Sequence, residues 1–144
     1  MRIDPHTHSA CSDGTDSPAA LMAAAARAGL DVVGLTDHDT TAGWAEAAAA
    51  VADTGVALLR GAEISCSDDG ATLHLLAYLF DPRDAALASA LEEVRTSRAD
   101  RGRRMVERLA ADYPITWRDV AARASDAKTI GRPHIADALV AAGC

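Results

Sequence analysis

The sequence predicts an α/β fold, and three observations carry that expectation. Short apolar runs alternate with helical patterns of about ten residues, the arrangement of parallel βαβ units. Alanine supplies roughly a quarter of the positions while aromatic residues make up only 3%, a composition that favours helices and close packing of small side chains. The 144 residues are enough for one domain with a sizeable core.

The elements follow in order. Arg2–Asp4 reads as a short strand, and Pro18–Ala28 as a helix closed by Gly29. The apolar run DVVGLT, Asp31–Thr36, reads as a buried strand, and Ala42–Ala52 as a helix closed near Gly55. Val56–Arg60 is the third strand, ending at Gly61-Ala62-Glu63, and Leu73–Leu79 is the fourth. Residues 84–111 carry a long helical pattern stopped at Tyr113-Pro114. A short helix over Trp117–Ala124, a loop, and a helix over Pro133–Ala142 complete the chain. Four strands are too few to close a barrel, which needs roughly eight. The alternatives are an open sheet or the front part of a longer fold.

A formal charge of -7 argues against non-specific binding to duplex DNA or to an anionic membrane, both of which select basic surfaces. It does not argue against a phosphorylated substrate, because bound divalent ions invert the local field. The three cysteines, Cys11, Cys66 and Cys144, have no CxxC spacing, which points to a reducing compartment. Apolar runs are short and alanine-based, below the length of a membrane span. With no basic region leading into an apolar run at its start, the chain is expected to be cytoplasmic.

The five histidines and their acidic neighbours cluster by position rather than composition. His6 and His8 stand one residue apart at the first strand, on one face of it if the strand persists, with Asp13 five residues later. Asp37-His38-Asp39 follows the second strand, Glu63 follows the third, His74 lies on the fourth, and His134 opens the last helix. In parallel α/β folds ligands bind at the carboxyl ends of strands. Imidazole with carboxylate suits manganese, iron or zinc better than calcium or magnesium. Seven candidate ligands exceed the capacity of one tetrahedral ion, so a multinuclear site is implied.

The motifs HTHSACSDG, LTDHDT, GAEIS with HLLAY, and GRPHIA, in that order, resemble the polymerase and histidinol phosphatase (PHP) family. GRPHIA and the helical segment before it are most similar to the branch of nucleoside 3′,5′-bisphosphate phosphatases and 5′-to-3′ RNA-trimming enzymes. The resemblance implies the N-terminal part of a distorted (β/α)₇ barrel with a helical insertion at about residues 84–128. It implies metal roles for His6, His8, Asp13, His38, Glu63, His74 and His134, holding two or three divalent ions. The family's later Asp-x-His motif does not occur in these 144 residues. A single PHP domain incomplete at its C-terminus, with little turnover of its own, is therefore expected.

The neighbouring residues have readings of their own. Asp37 either holds an imidazole in its tautomer or is a turn residue. Asp39 reads as a helix N-cap. Asp4 is a partner of the ligands or purely structural, and Cys11 and Cys66 read as small buried residues. On the 84–111 helix, Leu87, Leu91, Val94, Met105 and Leu109 form an apolar stripe, and the same spacing places Arg98 and Arg101 on it. Arginine forks match phosphate oxygens, so these two, with Arg132 at a helix start, are expected to reach a substrate phosphate. Ion pairs to Glu92, Glu93 or Asp100 are the alternative. Arg95, Arg103, Arg104 and Arg108 read as a solvated face.

The function expected from these readings is a metal-dependent phosphoesterase. It would hydrolyse a phosphomonoester, or a terminal phosphodiester, of a nucleotide or RNA 5′ end by a metal-activated hydroxide. Histidinol phosphate hydrolysis, and a non-catalytic metal-binding module serving a polymerase, are the alternatives.

Overall fold

A computed structural model describes residues 1–69, 71–124 and 130–144. The elements are β1 (Ile3–Thr7), α1 (Pro18–Arg27), β2 (Val32–Leu35), α2 (Trp44–Ala49), α3 (Val51–Thr54), β3 (Ala57–Asp68), β4 (Ala71–Tyr78), α4 (Ala85–Leu109), α5 (Trp117–Arg123) and α6 (Arg132–Ala141). Local chemistry sets several boundaries. The Ser17 side chain accepts the Ala20 N–H ahead of Pro18 to start α1. Asp84 caps α4 through Leu87 N–H, and Thr116 and Asp119 cap α5 reciprocally. The helix expected over 42–52 is divided at Ala50 into α2 and α3, and Gly55 in the left-handed region ends it.

The strands form one sheet in the order β1-β2-β3-β4. β1, β2 and β3 are parallel, as the βαβ pattern predicts. β4 departs from it, running antiparallel to β3 from Gly61 opposite Tyr78 to Asp68 opposite Ala71. The third strand is also longer than expected, so Glu63 lies within it rather than after it. No helix separates β3 from β4, and a link this short can join only antiparallel neighbours. The Asp69-Gly70 dipeptide is the turn signal that marks this hairpin in the sequence.

The sheet is strongly curled. The Tyr78 hydroxyl on β4 donates to Pro5 O on β1 at 2.8 Å, across both intervening strands. A flat sheet would separate those strands by about 14 Å, far beyond the reach of one tyrosine. Gly61 makes room for this crossing, since a Cβ there would lie 2.6 Å from Tyr78 Cδ1. Gly34 serves β1 in the same way: a Cβ there would fall 2.2 Å from Pro5 O, where the β1–β2 register shifts between Asp4 and Thr7.

Two apolar clusters hold the elements. Met22 and Ala25 of α1, Trp44 and Ala47 of α2, and Val33 and Leu35 of β2 form the first. Burial of each large side chain there contributes about 1.5–3 kcal/mol, and the Trp44 indole N–H donates to Gly61 O at 2.9 Å. The second cluster joins Val106 of α4, Ile115, Val120 of α5, and Ile135 and Ala138 of α6. The helical part expected at 84–128 thus shares its core with α6. Its last residues, 125–129, lie outside the described residues. Among the described residues no helix is long and apolar enough to cross a membrane.

Candidate metal centre

The ends of the parallel strands bring His6, His8, Asp13, His38 and Glu63 together, and β4 adds His74. β1 carries His6, His8 follows it, and Asp13 lies in the loop before α1. The 37–39 segment continues beside β3 after β2 has ended. Asp39 N–H donates to Glu63 O at 3.1 Å, and Glu63 N–H donates to Asp37 O at 3.2 Å. That pairing places His38 beside Glu63.

Glu63 is the hub. Its Oε2 lies 2.8 Å from His6 Nε2 and 2.9 Å from His8 Nε2, and its Oε1 lies 2.8 Å from His74 Nδ1. His6 Nε2 and His8 Nε2 are 3.1 Å apart. Asp13 reaches His8 Nδ1 at 3.4 Å through one oxygen and His38 Nε2 at 3.5 Å through the other. Burial raises the Glu63 carboxyl, but its hydrogen bond from His6 and the nearby His38, His8 and His6 outweigh this and leave it below its ordinary value. Burial holds the His38 imidazole below its ordinary value, and Arg98 adds to that shift against Asp13 and Glu63.

Three overlapping groups of donors result: His6, His8 and Glu63; His8, Asp13 and His38; His38, Glu63 and His74. Within each group the ligand atoms lie within 4.8 Å of one another. Imidazoles grouped around a carboxylate at this spacing fit a divalent transition metal or zinc. His134 is not brought into these groups. It is buried on α6, and its Nδ1 accepts the Gly131 N–H at 3.1 Å.

The two aspartates flanking His38 are both buried. Asp37 is held by two serines. Its Oδ1 accepts Ser9 N–H and the Ser12 hydroxyl, each at 2.7 Å, and its Oδ2 accepts the Ser9 hydroxyl at 2.6 Å. It therefore anchors the loop carrying Asp13, with Ser12 Oγ 3.4 Å from His8 Nδ1. Asp39 is not a helix N-cap, since Gly43 holds that place for α2. Its carboxylate accepts Ser65 N–H at 2.7 Å and the Ser65 hydroxyl at 2.9 Å. Asp4 accepts the His6 backbone N–H at 3.2 Å.

The arginines sort differently from the sequence pattern. Arg98 is nearly covered and donates through Nη1 to Ser65 Oγ at 2.7 Å and Asp39 Oδ2 at 3.4 Å. Arg95, expected to be solvated, donates to Asp39 O and pairs with Glu92. Arg101 and Arg132 are exposed and make no ion pair with another described residue. Asp13, His38, His74, Arg98, Arg101 and Arg132 line one cavity of about 380 Å³. Cys66, expected to be buried, is exposed on its wall. Ser9, Ser12 and Ser65 were not singled out by the sequence. Only Ser65 had a local signal, its alternation with Glu63 along β3.

Residues 4–111 match the PHP domain profile. The chain belongs to the PHP domain family. Over 142 residues it is 40% identical to a 3′,5′-nucleoside bisphosphate phosphatase of Chromobacterium violaceum, covering 98% of this chain and 50% of that protein. Over 143 residues it is 34% identical to a 5′-3′ exoribonuclease of Haemophilus influenzae, covering 99% and 52%. The crystal structure of a candidate metal-dependent phosphoesterase from Bifidobacterium adolescentis superposes with a TM-score of 0.94 at 48% identity, over 99% of this chain and 51% of that one. The PHP chain described here spans about half the length of the relatives it matches.

Proposed function

We propose that this PHP domain serves a metal-dependent phosphoesterase acting on a phosphomonoester or terminal phosphodiester of a nucleotide or RNA 5′ end. One observation carries the reading: donors for cations and arginines for anions line the same cavity. The named activities of the two relatives support the nucleotide class.

His6, His8, Asp13, His38, Glu63 and His74 would hold two or more divalent ions, because His8, His38 and Glu63 each belong to two donor groups. Manganese, iron or zinc bound there would supply a Lewis acid and lower the pKa of a water. Arg98, Arg101 and Arg132 bind and orient the phosphate, their forks pairing with its oxygens. Asp37 and Ser12 hold His8 and Asp13 in place. His134 holds Gly131, whose Cβ position would lie 3.6 Å from both Arg98 Nη2 and Asp13 Oδ2. His134 thereby shapes the cavity wall rather than binding metal directly.

The test takes a longer protein carrying this domain, since the chain spans about half the length of its relatives, loads it with each metal and follows phosphate release from a nucleoside 3′,5′-bisphosphate, a 5′-phosphorylated oligoribonucleotide and histidinol phosphate. Metal-dependent turnover of either nucleotide substrate above histidinol phosphate is expected. Arg101→Ala should lower turnover about tenfold, the loss of one charge-assisted pair, with metal content unchanged. Metal content that falls in step with activity would assign Arg101 a structural place instead.

A further inference from the structure

Asp39 is the least explained residue around the cavity. Its side chain is completely buried, and its backbone stands in the left-handed region at φ 55°. Aspartate and asparagine tolerate that region better than other residues with side chains. A buried carboxylate needs donors. Those it has come from two elements distant in sequence, Ser65 on β3 and Arg98 on α4. Ser65 Oγ donates to Asp39 and accepts from Arg98, so it links the two.

We propose that Asp39 is a positioning residue that, through Ser65, aims the Arg98 guanidinium at the substrate phosphate. The proposal rests on the phosphoesterase reading. A guanidinium carries five N–H donors, and Asp39 and Ser65 take both of those on Nη1. The Nε–Nη2 edge is thereby left for a bidentate pair with an anion, and no hydrogen bond to another described residue engages it. Nη2 also lies near the start of α6 and Asp13, as the Gly131 geometry shows, so this edge faces the cavity where the donor groups end. Arginine has a flexible stem, and fixing it before the anion arrives removes an ordering cost from binding. Asp37, by contrast, spends its carboxylate within the β1–α1 loop and touches no arginine.

The test is inorganic phosphate binding to chelator-treated protein, followed by phosphorus NMR or calorimetry, so that the readout does not depend on metal or turnover. The variants are Asp39→Asn, Ser65→Ala, Arg98→Ala and the two double variants with Arg98→Ala. Asparagine retains the left-handed backbone and an acceptor for Ser65 N–H while removing the charge. Asp39→Asn and Ser65→Ala should each weaken phosphate about tenfold, as expected for one charge-assisted hydrogen bond. Neither should weaken it further once Arg98 is alanine. Equal losses with and without Arg98 would make Asp39 a general structural residue and overturn the proposal. So would wild-type affinity in both single variants while Arg98→Ala binds weakly. An affinity that Arg98→Ala itself leaves unchanged would instead remove the phosphate-binding reading beneath the proposal, so the two failures are distinct. Ser65→Ala leaves the left-handed residue untouched and carries the test if Asp39→Asn fails to fold.

Discussion

Replacing Asp37 separates what its charge contributes from what its hydrogen bonds contribute. The carboxylate is 1% exposed and accepts three hydrogen bonds. In Asp37→Asn the amide oxygen can stand at the Oδ1 position and keep Ser9 N–H and the Ser12 hydroxyl. The Ser9 hydroxyl can rotate to accept from the new NH₂. What is lost is the charge assistance, about 1 kcal/mol for each of three bonds, partly offset because a neutral amide is cheaper to bury. The net cost is about 2 kcal/mol. Asp37→Ala also removes the acceptor of Ser9 N–H, which as a backbone group cannot rotate to another partner, and each orphaned donor costs about 1–3 kcal/mol. That variant should lose about 4–5 kcal/mol. At about 2–4 °C per kcal/mol for a chain of this size, the melting temperatures should fall by about 4–8 °C and about 8–20 °C. Thermal and urea unfolding with chelator present measure both without interference from metal. An alanine variant within about 1 kcal/mol of the parent would refute the view that this carboxylate anchors the 9–13 loop.

The metal-free protein should lose stability as pH falls through the histidine range. The His38 imidazole is held below its ordinary 6.5 in the fold, so between those two values the unfolded chain binds the extra proton and stability rises with pH. Urea unfolding at a series of pH values should show a loss beginning near pH 6.5 and levelling off below the folded value. His38→Gln should flatten the slope, and an unaltered slope in that variant would assign the loss elsewhere. Gly34→Ala should cost at least about 1–3 kcal/mol, the range for overpacking, because its Cβ meets the Pro5 backbone rather than a movable side chain. Since β1 carries His6 and leads into His8, zinc affinity in a competition assay should weaken with it. Unchanged affinity and stability would mean β1 shifts without disturbing the ligands.

Much of the site was legible because its signals are local. The His-x-His pair stands at the end of the first strand and His38 just past the second, where the sequence places them, and β1, β2 and β3 are parallel as alternation with helices predicts. The errors arose where the chain's local pattern had two readings. Leu73–Leu79 reads as a strand either way, but the short link after Asp68 makes it an antiparallel partner of β3. Arg95 and Arg98 differ by less than one helical turn, yet both reach Asp39.

The sequence by itself determined the clustering of imidazoles and carboxylates near the strand ends, the α/β class and the three parallel strands, since each follows from residue chemistry and spacing over a few positions. Tertiary structure decided that His134 stands apart from the donor groups, that the sheet curls until Tyr78 meets Pro5, and that Asp39 faces Ser65 and Arg98. Those contacts join residues 3, 73, 26 and 59 positions apart. For the three long ones, no periodicity within a strand or helix encodes the partner, and burial must first bring the elements together. His134 is near Gly131 in sequence, but only the path of the chain into α6 turns its ring toward that backbone.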